Sequence, residues 1–500
     1  MSFKVSGERS LFILLFFVTG ILVLTLPREM YRGDAVAIRG ATLSLLQSGD
    51  LAIHEELVEK NAAILTGQDQ AYFIRNDADG RYFSKWGFLN TLLYIPPVAI
   101  QLLQDNELDL LSVRGDFAAL VSTYNILWAL ALAFYLWLLS GLFVQQRGVR
   151  VVYILGCFFA SFLWNFLRAQ TTEIFQVFFF VAGSFHYLRW IREKEKGASG
   201  FSHFHLYATV SFWILMTWLK PYFVLLCGFW LLHFVWFEWR QAGGFVCKRE
   251  HIFSFVILIA GLVTLLASQH YKFNDLFATG YGRTIETDLG NRFVGDIGAG
   301  LSGFLFSSNY SVFLHFPLLL IALLAIPAFL RRHQRFYSFV LGAFLVFFLF
   351  IGKMENWAGH WSYGPRYLLF LLPVLSLPAL HFFSEVWTWR GMRRAAAMTC
   401  VSFLLLFGFW LQVQVNTLNF FIGYELRDEV FKVWAPHDGA IEYFESANFS
   451  RISYDLQKFR QGEGEFYPLE LVKPLLKDEQ IEFLEHKVRS KLWINYYWAN

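Results

Sequence analysis

The chain has 500 residues, of which 56% are hydrophobic and 19% aromatic, and its formal net charge is +3. Its mean hydropathy of +0.42 lies outside the range of soluble globular proteins. The composition therefore excludes a soluble protein and predicts an all-α polytopic membrane protein. So small a net charge gives no indication of a nucleic-acid partner.

Apolar runs of roughly 17–25 residues match the thickness of a bilayer core, and about twelve such runs follow one another along the chain. They cover residues 11–26, 86–103, 117–143, 151–167, 174–190, 206–218, 222–237, 252–267, 312–330, 336–351, 367–383 and 395–413. The pattern predicts about 11–13 transmembrane helices. The first run follows Lys4 and Arg9 and precedes no small-residue cleavage site, which predicts a retained signal-anchor.

Clusters of lysine and arginine mark the loops expected on the cytoplasmic side. These clusters lie at 147–150, 189–196, 240–249, 331–335 and 390–394. Their positions place the other loops, including the first loop at 27–85, on the opposite face. The run at 86–103 does not fit this alternation if it spans fully. Either it is short or re-entrant, broken by Pro96-Pro97, or the loop at Arg147 breaks the positive-inside rule.

Two further segments are expected outside the bilayer core. Residues 35–46 carry apolar side chains at helical spacing after the polar Gly33-Asp34, which predicts an amphipathic helix on the membrane surface. The residues after 415 are charged but rich in aromatic and aliphatic side chains, which predicts a small folded unit. The predicted division is a transmembrane domain at 1–415 and an extramembrane domain at 416–500.

Six charged residues are predicted at one face of the membrane, namely Asp34, Lys85, Arg168, Glu173, Lys220 and Arg366. A charge at membrane depth costs several kcal/mol unless it faces a cavity or a partner, so each is a candidate functional residue. A carboxylate can accept a proton from an attacking hydroxyl. Lysine and arginine can hold a phosphate that leaves.

Each residue taken alone also has a structural explanation. A lysine or arginine near a helix end commonly extends its charge to the interface. Asp34 can serve as a helix N-cap, and Glu173 can complement the dipole of the helix it begins. The convergence of six charges on one face favours a site over six separate anchors.

Several short motifs resemble the GT-C membrane glycosyltransferases, specifically bacterial relatives of protein O-mannosyltransferases and lipid A aminoarabinose transferases. The matching stretches are Gly33-Asp34, FSKWG at 83–87 before Pro96-Pro97, RAQTTE at 168–173, WLKP at 218–221, GFLFSSNYSVFLHFP at 303–317 and WSYGPRY at 361–367. They spread over residues 10–385, and their order and spacing carry the resemblance.

The resemblance implies inverting transfer of a sugar from a polyprenyl-phosphate donor to a lipid, glycan or protein acceptor. Asp34 matches the catalytic carboxylate of the family's first loop, and Glu173 matches its second acidic position, so the resemblance implies Asp34 and Glu173 as the catalytic residues. The implied phosphate-binding residues are Lys85, Arg168, Lys220 and Arg366, and the implied cavity residues are Trp86, Tyr310, Trp361 and Tyr363. The implied location is a bacterial inner membrane, with the site on the periplasmic side.

Other interpretations remain open from the sequence. A transporter or flippase of a lipid-linked sugar is the alternative, although no internal repeats are evident and the charges lie at helix ends. A structural membrane subunit is a third reading. A divalent metal is a possible cofactor, but Gly33 stands where relatives have a second acidic residue, and His54 and His360 show no ligand spacing.

Overall fold

In a computed structural model of the chain, the described residues are 6–27, 33–55, 58, 73–76, 78–104, 116–197, 202–242, 248–280, 293–307, 310–359 and 363–417. Within these ranges, the side chains of residues 6–8, 33, 34, 116 and 242 are not described. The predicted C-terminal domain at 416–500 lies outside the described residues beyond Thr417.

The described chain is almost entirely helical. Its α-helices are α1 (Ser6–Leu24), α2 (Gly33–Ser48), α3 (Phe88–Leu93), α4 (Ile95–Gln104), α5 (Asp116–Gly141), α6 (Arg147–Phe159), α7 (Leu163–Leu167), α8 (Glu173–Glu195), α9 (Ser202–Leu219), α10 (Val224–Ala242), α11 (Arg249–Phe273), α12 (Ile297–Phe306), α13 (Val312–His315), α14 (Leu318–Gly352), α15 (Leu372–Leu375), α16 (Leu377–Thr388) and α17 (Gly391–Thr417). Single 3-10 turns lie at Pro221–Phe223 and Arg366–Leu368.

The predicted helical membrane architecture is confirmed. Within the described ranges, six helices are long and apolar enough to cross a membrane: Phe117–Gly141, Glu173–Glu195, Pro221–Gln241, Arg249–Phe273, Leu318–Gly352 and Gly391–Thr417. The remaining predicted segments are also helical, but they are shorter or interrupted. The two segments predicted at 312–330 and 336–351 mostly lie within α14, which breaks at His333, where φ is −132° and ψ is 32°.

The stretch predicted at 86–103 forms two short helices that meet at Tyr94. At 1.5 Å per residue, α3 and α4 are about 9 Å and 15 Å long, whereas a bilayer core is about 30 Å thick. The break falls just before Pro96-Pro97. Of the two alternatives left open by the sequence, this agrees with a short segment broken at these prolines. The Tyr94 hydroxyl, which is buried, donates a hydrogen bond to the Thr171 carbonyl at 2.9 Å.

The helix predicted at 35–46 is present as α2, but it is packed inside the protein and does not lie on its surface. Its side chains are buried on every side from Ala35 to Ser44, including Arg39 at 0% exposure. It contacts α3, α4 and a small sheet that was not predicted. That sheet is antiparallel, in the order β1 (Ala52–Ile53), β3 (Tyr82–Ser84), β2 (Phe73–Arg75), with Ile53 opposite Tyr82. The small residues of α2 allow this close packing on all faces.

A polar clasp fastens the first loop to the end of α11. The Tyr271 hydroxyl donates to Asp50 at 2.6 Å, and Arg81 pairs with Asp50 at 3.1 Å. Partial burial raises the pKa of Asp50, but the bonds from Tyr271, the Ala52 amide and Arg81 outweigh it and lower that pKa below its usual value. Asp50 therefore stays ionised, and the clasp loses strength only in strong acid.

The first loop returns to the bundle where Gly87 meets the end of α9. The Gly87 amide donates to the Leu219 carbonyl at 3.1 Å, and the Asn90 side-chain amide donates to the Gly87 and Leu219 carbonyls at 3.0 and 2.8 Å. The backbones approach so closely that only glycine fits. This contact joins two of the sequence motifs, FSKWG at 83–87 and WLKP at 218–221.

Replacing Gly87 by alanine is expected to lower the free energy of unfolding by about 1–3 kcal/mol, the usual range for overpacking. A Cβ at this position would lie 2.0 Å from the Trp218 carbonyl oxygen and 2.7 Å from that of Leu219. Neither backbone oxygen can rotate away. Thermal unfolding of the detergent-purified variant measures the effect.

The matched control is Gly228→Ala in α10, where an added Cβ meets nothing within 4 Å. Alanine should be neutral there or stabilise by about 0.5–1 kcal/mol through its better helix propensity. Equal melting temperatures for the two variants would contradict the packing described at Gly87.

Candidate anion-binding site

A buried ion pair lies at the centre of the candidate site. Lys220 Nζ is 3.1 Å from Glu173 Oε1, and each side chain is 1% exposed. Glu173 begins α8, where the positive end of the helix dipole favours a carboxylate. Lys220 follows α9 directly, and Pro221 ends the helical hydrogen bonding there and turns the chain toward α10. Two residues 47 positions apart are thus paired away from water.

Two aromatic rings enclose the Lys220 ammonium. Its Nζ lies 5.3 Å from the centroid of the Trp86 ring and 5.6 Å from that of Tyr367. Lys85 Nζ lies 5.0 Å from the Trp86 ring, and the Arg366 guanidinium lies 5.1 Å from the Tyr367 ring. Cations at these distances are attracted to ring faces, so three cations gather around two rings.

Arg366 reaches the site through a constrained turn. Gly364, with φ of +68°, and Pro365 precede the 3-10 turn at Arg366–Leu368. A Cβ on Gly364 would also lie 2.9 Å from the Phe162 ring, so this position requires glycine for conformation and for space. Arg366 is 8% exposed and lies within electrostatic range of Glu173. The WSYGPRY motif therefore places the Arg366 guanidinium within electrostatic range of the Glu173–Lys220 ion pair.

A fourth basic residue, Lys272, was not predicted from the sequence. It lies near the end of α11, is 4% exposed, and donates from Nζ to the Trp86 carbonyl at 2.7 Å. It thereby holds the residue whose ring covers Lys220. The available signal was a lysine at the end of an apolar helix on the predicted non-cytoplasmic face, the same pattern that identified Lys85 and Lys220.

Arg168 is buried five positions before Glu173, and its described contacts are structural. Its guanidinium donates to the Thr25 carbonyl and, at 2.7 and 2.9 Å, to the carbonyl and side-chain oxygens of Asn416. These bonds tie the ends of α1 and α17 to the segment before α8. A phosphate-binding role for Arg168 stays a prediction.

The predicted cavity residues are in different surroundings. Trp86 belongs to the cation cluster. Tyr363 is buried, its hydroxyl lies 3.2 Å from His315 Nδ1 and 3.1 Å from the Gln412 side-chain amide, and burial raises its pKa. Tyr310 stacks edge-on against Trp357, with ring centroids 5.5 Å apart. Trp361 lies outside the described residues.

Asp34 is the second residue of α2, and its side chain lies outside the described residues. The helix that carries it is nevertheless connected to the segment that carries Glu173. Arg39 Nη2 lies 3.4 Å from Gln170 Oε1, three positions before Glu173. At 1.5 Å per residue, the Asp34 backbone lies about 7.5 Å along the axis from Arg39.

Within the described ranges, no group of three or more His, Cys, Asp or Glu side chains could hold a metal ion. His54 is exposed, and His360 lies outside the described residues. The residues present offer cations and hydrogen-bond donors, which are groups that bind an anion.

Fold and site together define a polytopic helical membrane protein with a buried, cation-rich site at one end of its helices. Glu173 begins α8, while Lys220 and Lys272 lie where α9 and α11 end, so adjacent helices present these ionisable side chains at the same end.

No protein-family model matches the chain, and no curated protein matches it. Among solved structures, it is similar to the crystal structure of ArnT from Cupriavidus metallidurans bound to undecaprenyl phosphate. The TM-score is 0.47 and the sequence identity 11%, over 97% of this chain and 78% of that chain. At this TM-score and identity, the likeness assigns neither a family nor an activity.

The Glu173–Lys220 pair is expected to be strongly coupled in stability. Glu173→Gln and Lys220→Met should each lower the free energy of unfolding by about 3–5 kcal/mol, because each leaves one buried charge without its partner. The double variant should recover much of that loss. Denaturant or thermal unfolding of the four proteins in a double-mutant cycle measures the coupling.

The exposed pair Arg335–Glu195, at 2.9 Å with side chains 52% and 37% exposed, provides the control. Glu195→Gln should change stability by no more than about 1 kcal/mol. Additive effects of the two substitutions at Glu173 and Lys220 would mean that the pair is not formed in the protein.

Proposed function

We propose that the protein is a membrane glycosyltransferase that moves a sugar from a polyprenyl-phosphate carrier to an acceptor hydroxyl. The observation that carries this proposal is the convergence of Lys85, Lys220 and Arg366 around the rings of Trp86 and Tyr367. These cations come from three distant segments of an apolar chain. An anion attached to a lipid is the ligand that such a site suits best.

The chemistry gives the cations a specific task. The acceptor oxygen forms a bond to the anomeric carbon, and the bond from that carbon to the phosphate oxygen breaks. Its electron pair passes to the phosphate, which changes from a diester with one negative charge to a monoester with two. Lysine and arginine held in a buried site stabilise that added charge as it develops.

Glu173 is proposed to act through Lys220. Its carboxylate accepts a hydrogen bond from the Lys220 ammonium at 3.1 Å, and the Glu173 side chain is buried. A paired carboxylate keeps a buried lysine charged and fixes its direction. This assignment makes Glu173 the residue that positions a phosphate-binding cation.

Asp34 is proposed as the general base. It would take the proton of the acceptor hydroxyl while that oxygen attacks the sugar from the face opposite the phosphate, so one displacement inverts the anomeric centre. The bond between Arg39 and Gln170 supports this assignment, because it couples the helix of Asp34 to the segment of Glu173.

The site is proposed to face away from the cytoplasm. The far end of α8 carries Arg189, Arg192 and Lys194, and basic residues favour the cytoplasmic side. Because Glu173 stands at the opposite end of the same helix, the site falls on the non-cytoplasmic face. In a bacterial inner membrane this is the periplasmic side, where lipid, glycan and protein acceptors carry free hydroxyls.

Asp34→Asn is expected to abolish sugar transfer while leaving the fold intact, because asparagine has nearly the same shape but cannot accept the proton. The measurement is release of polyprenyl phosphate from a panel of polyprenyl-phosphate sugars by purified protein supplied with envelope acceptors. The loss should be at least about 100-fold, as for other general bases. Thermal unfolding checks that the variant is folded.

Asp296→Asn is the matched control. Asp296 caps α12 through a bond from the Gly298 amide at 2.8 Å, and asparagine caps a helix equally well. It should transfer sugar at the wild-type rate. Undiminished transfer by Asp34→Asn would remove Asp34 as the base. If wild-type protein instead moves the intact donor across proteoliposomes and releases none, the transporter interpretation replaces this proposal.

A further inference from the structure

Tyr222 lies in the turn that follows Lys220, the lysine of the buried ion pair. Pro221, Tyr222 and Phe223 form a single 3-10 turn between α9 and α10. The Tyr222 ring contacts Phe347 and Phe350 of α14, with centroids 6.2 and 6.0 Å apart. The ring is therefore held by apolar neighbours, and its position relative to Lys220 is fixed by the turn.

The hydroxyl of Tyr222 is buried and, among the residues that the structure describes, has no hydrogen-bond partner. Buried tyrosines elsewhere in the described chain do have partners for this group: Tyr94, Tyr153, Tyr187, Tyr337 and Tyr363. A buried hydroxyl left without a partner destabilises the fold, because its lost hydrogen bonds to water are not replaced. Burying the ring of a phenylalanine at position 222 would carry no such cost, so the hydroxyl needs an explanation outside the fold.

The surroundings of this hydroxyl indicate which kind of group would accept its hydrogen bond. It lies within electrostatic range of Lys220, Arg366 and Glu173 and of the Tyr367 hydroxyl. Two of these groups are cations, and Glu173 is already engaged by Lys220. The group that Lys220 and Arg366 attract is an anion, and an anionic oxygen placed between them is the natural acceptor for a tyrosine O–H.

We propose that the Tyr222 hydroxyl donates a hydrogen bond to a phosphate oxygen of the ligand bound by Lys220 and Arg366. Tyr222 is then a substrate-binding residue that the sequence did not indicate. The proposal rests on the phosphate ligand of the proposed function, but not on the transfer reaction. The neutral tyrosine hydroxyl donates the same hydrogen bond to the phosphate diester of the sugar carrier and to the phosphate monoester that is released. It therefore contributes to the affinity for both forms of the ligand.

The test compares wild type with Tyr222→Phe, which removes one oxygen and nothing else. Binding of a polyprenyl monophosphate to the full purified chain is measured alongside thermal unfolding without ligand. Binding should weaken about tenfold, the equivalent of one hydrogen bond to a charged group. The melting temperature without ligand should not fall, because the variant loses a hydroxyl that had no partner.

Tyr337→Phe is the control, because the Tyr337 hydroxyl is buried and donates to the Leu375 carbonyl at 2.7 Å. It should show the opposite result, with a lower melting temperature and unchanged phosphate binding. A polyprenol without phosphate serves as the control ligand and should bind both variants as it binds wild type. The two tyrosine variants thus separate a ligand contact from a structural one.

Equal binding of polyprenyl monophosphate by wild type and Tyr222→Phe would overturn the inference and leave the proposed function standing. Weaker binding accompanied by a lower melting temperature without ligand would also overturn it, because the hydroxyl would then have a partner within the fold. Failure of wild type to bind the monophosphate would instead remove the proposed function itself. A smaller effect of Tyr222→Phe in a Lys220→Met background would support a shared ligand.

Discussion

The site depends on the ion pair between Glu173 and Lys220, with Nζ and Oε1 3.1 Å apart and both side chains almost fully buried. Removing two charges from water is expensive, and the mutual attraction offsets that cost only when the geometry is fixed. The chain fixes it with a helix start at Glu173 and a proline break after Lys220. Neither device is needed for crossing a membrane, so both point to a use for the charge.

The second requirement is that distant segments approach closely enough to surround that pair. Gly87 provides the approach, because its backbone rests on the carbonyl oxygens at the end of α9. Trp86 is thereby placed over Lys220, and Lys272 fixes its carbonyl from the other side. A small residue at one position thus determines which ring covers the buried charge.

Much of this could be predicted from the sequence, because apolar length and polar interruptions are one-dimensional signals. The helical segments follow from apolar length, and the placement of Lys85, Glu173, Lys220 and Arg366 on one face follows from the order of the loops and the basic clusters. The surroundings of α2 could not be predicted, because helical periodicity does not distinguish a lipid surface from a protein interior. The abundance of Ala, Ser and Thr between Ala35 and Ser44 was the available signal for burial.

Lys272 and Tyr222 were missed for a different reason. Each stands at the edge of an apolar run, where single polar residues are common and usually serve as interfacial anchors. Only three-dimensional contacts distinguish them: one holds the Trp86 carbonyl, and the other has a hydroxyl without a partner in the described chain. The sequence identified charged residues because they interrupt apolar runs. It could not identify a polar group that is distinguished only by the hydrogen bond it makes or lacks.

Two adjacent residues at the end of α11 contact different parts of the molecule. Tyr271 binds Asp50 in the first loop, while Lys272 binds the carbonyl of Trp86 beside the ion pair. One short piece of helix therefore connects the first loop to the residue whose ring covers Lys220. Because Tyr271 and Lys272 are neighbours on one helix, a shift of that helix end would move the partner of Asp50 and the partner of the Trp86 carbonyl together.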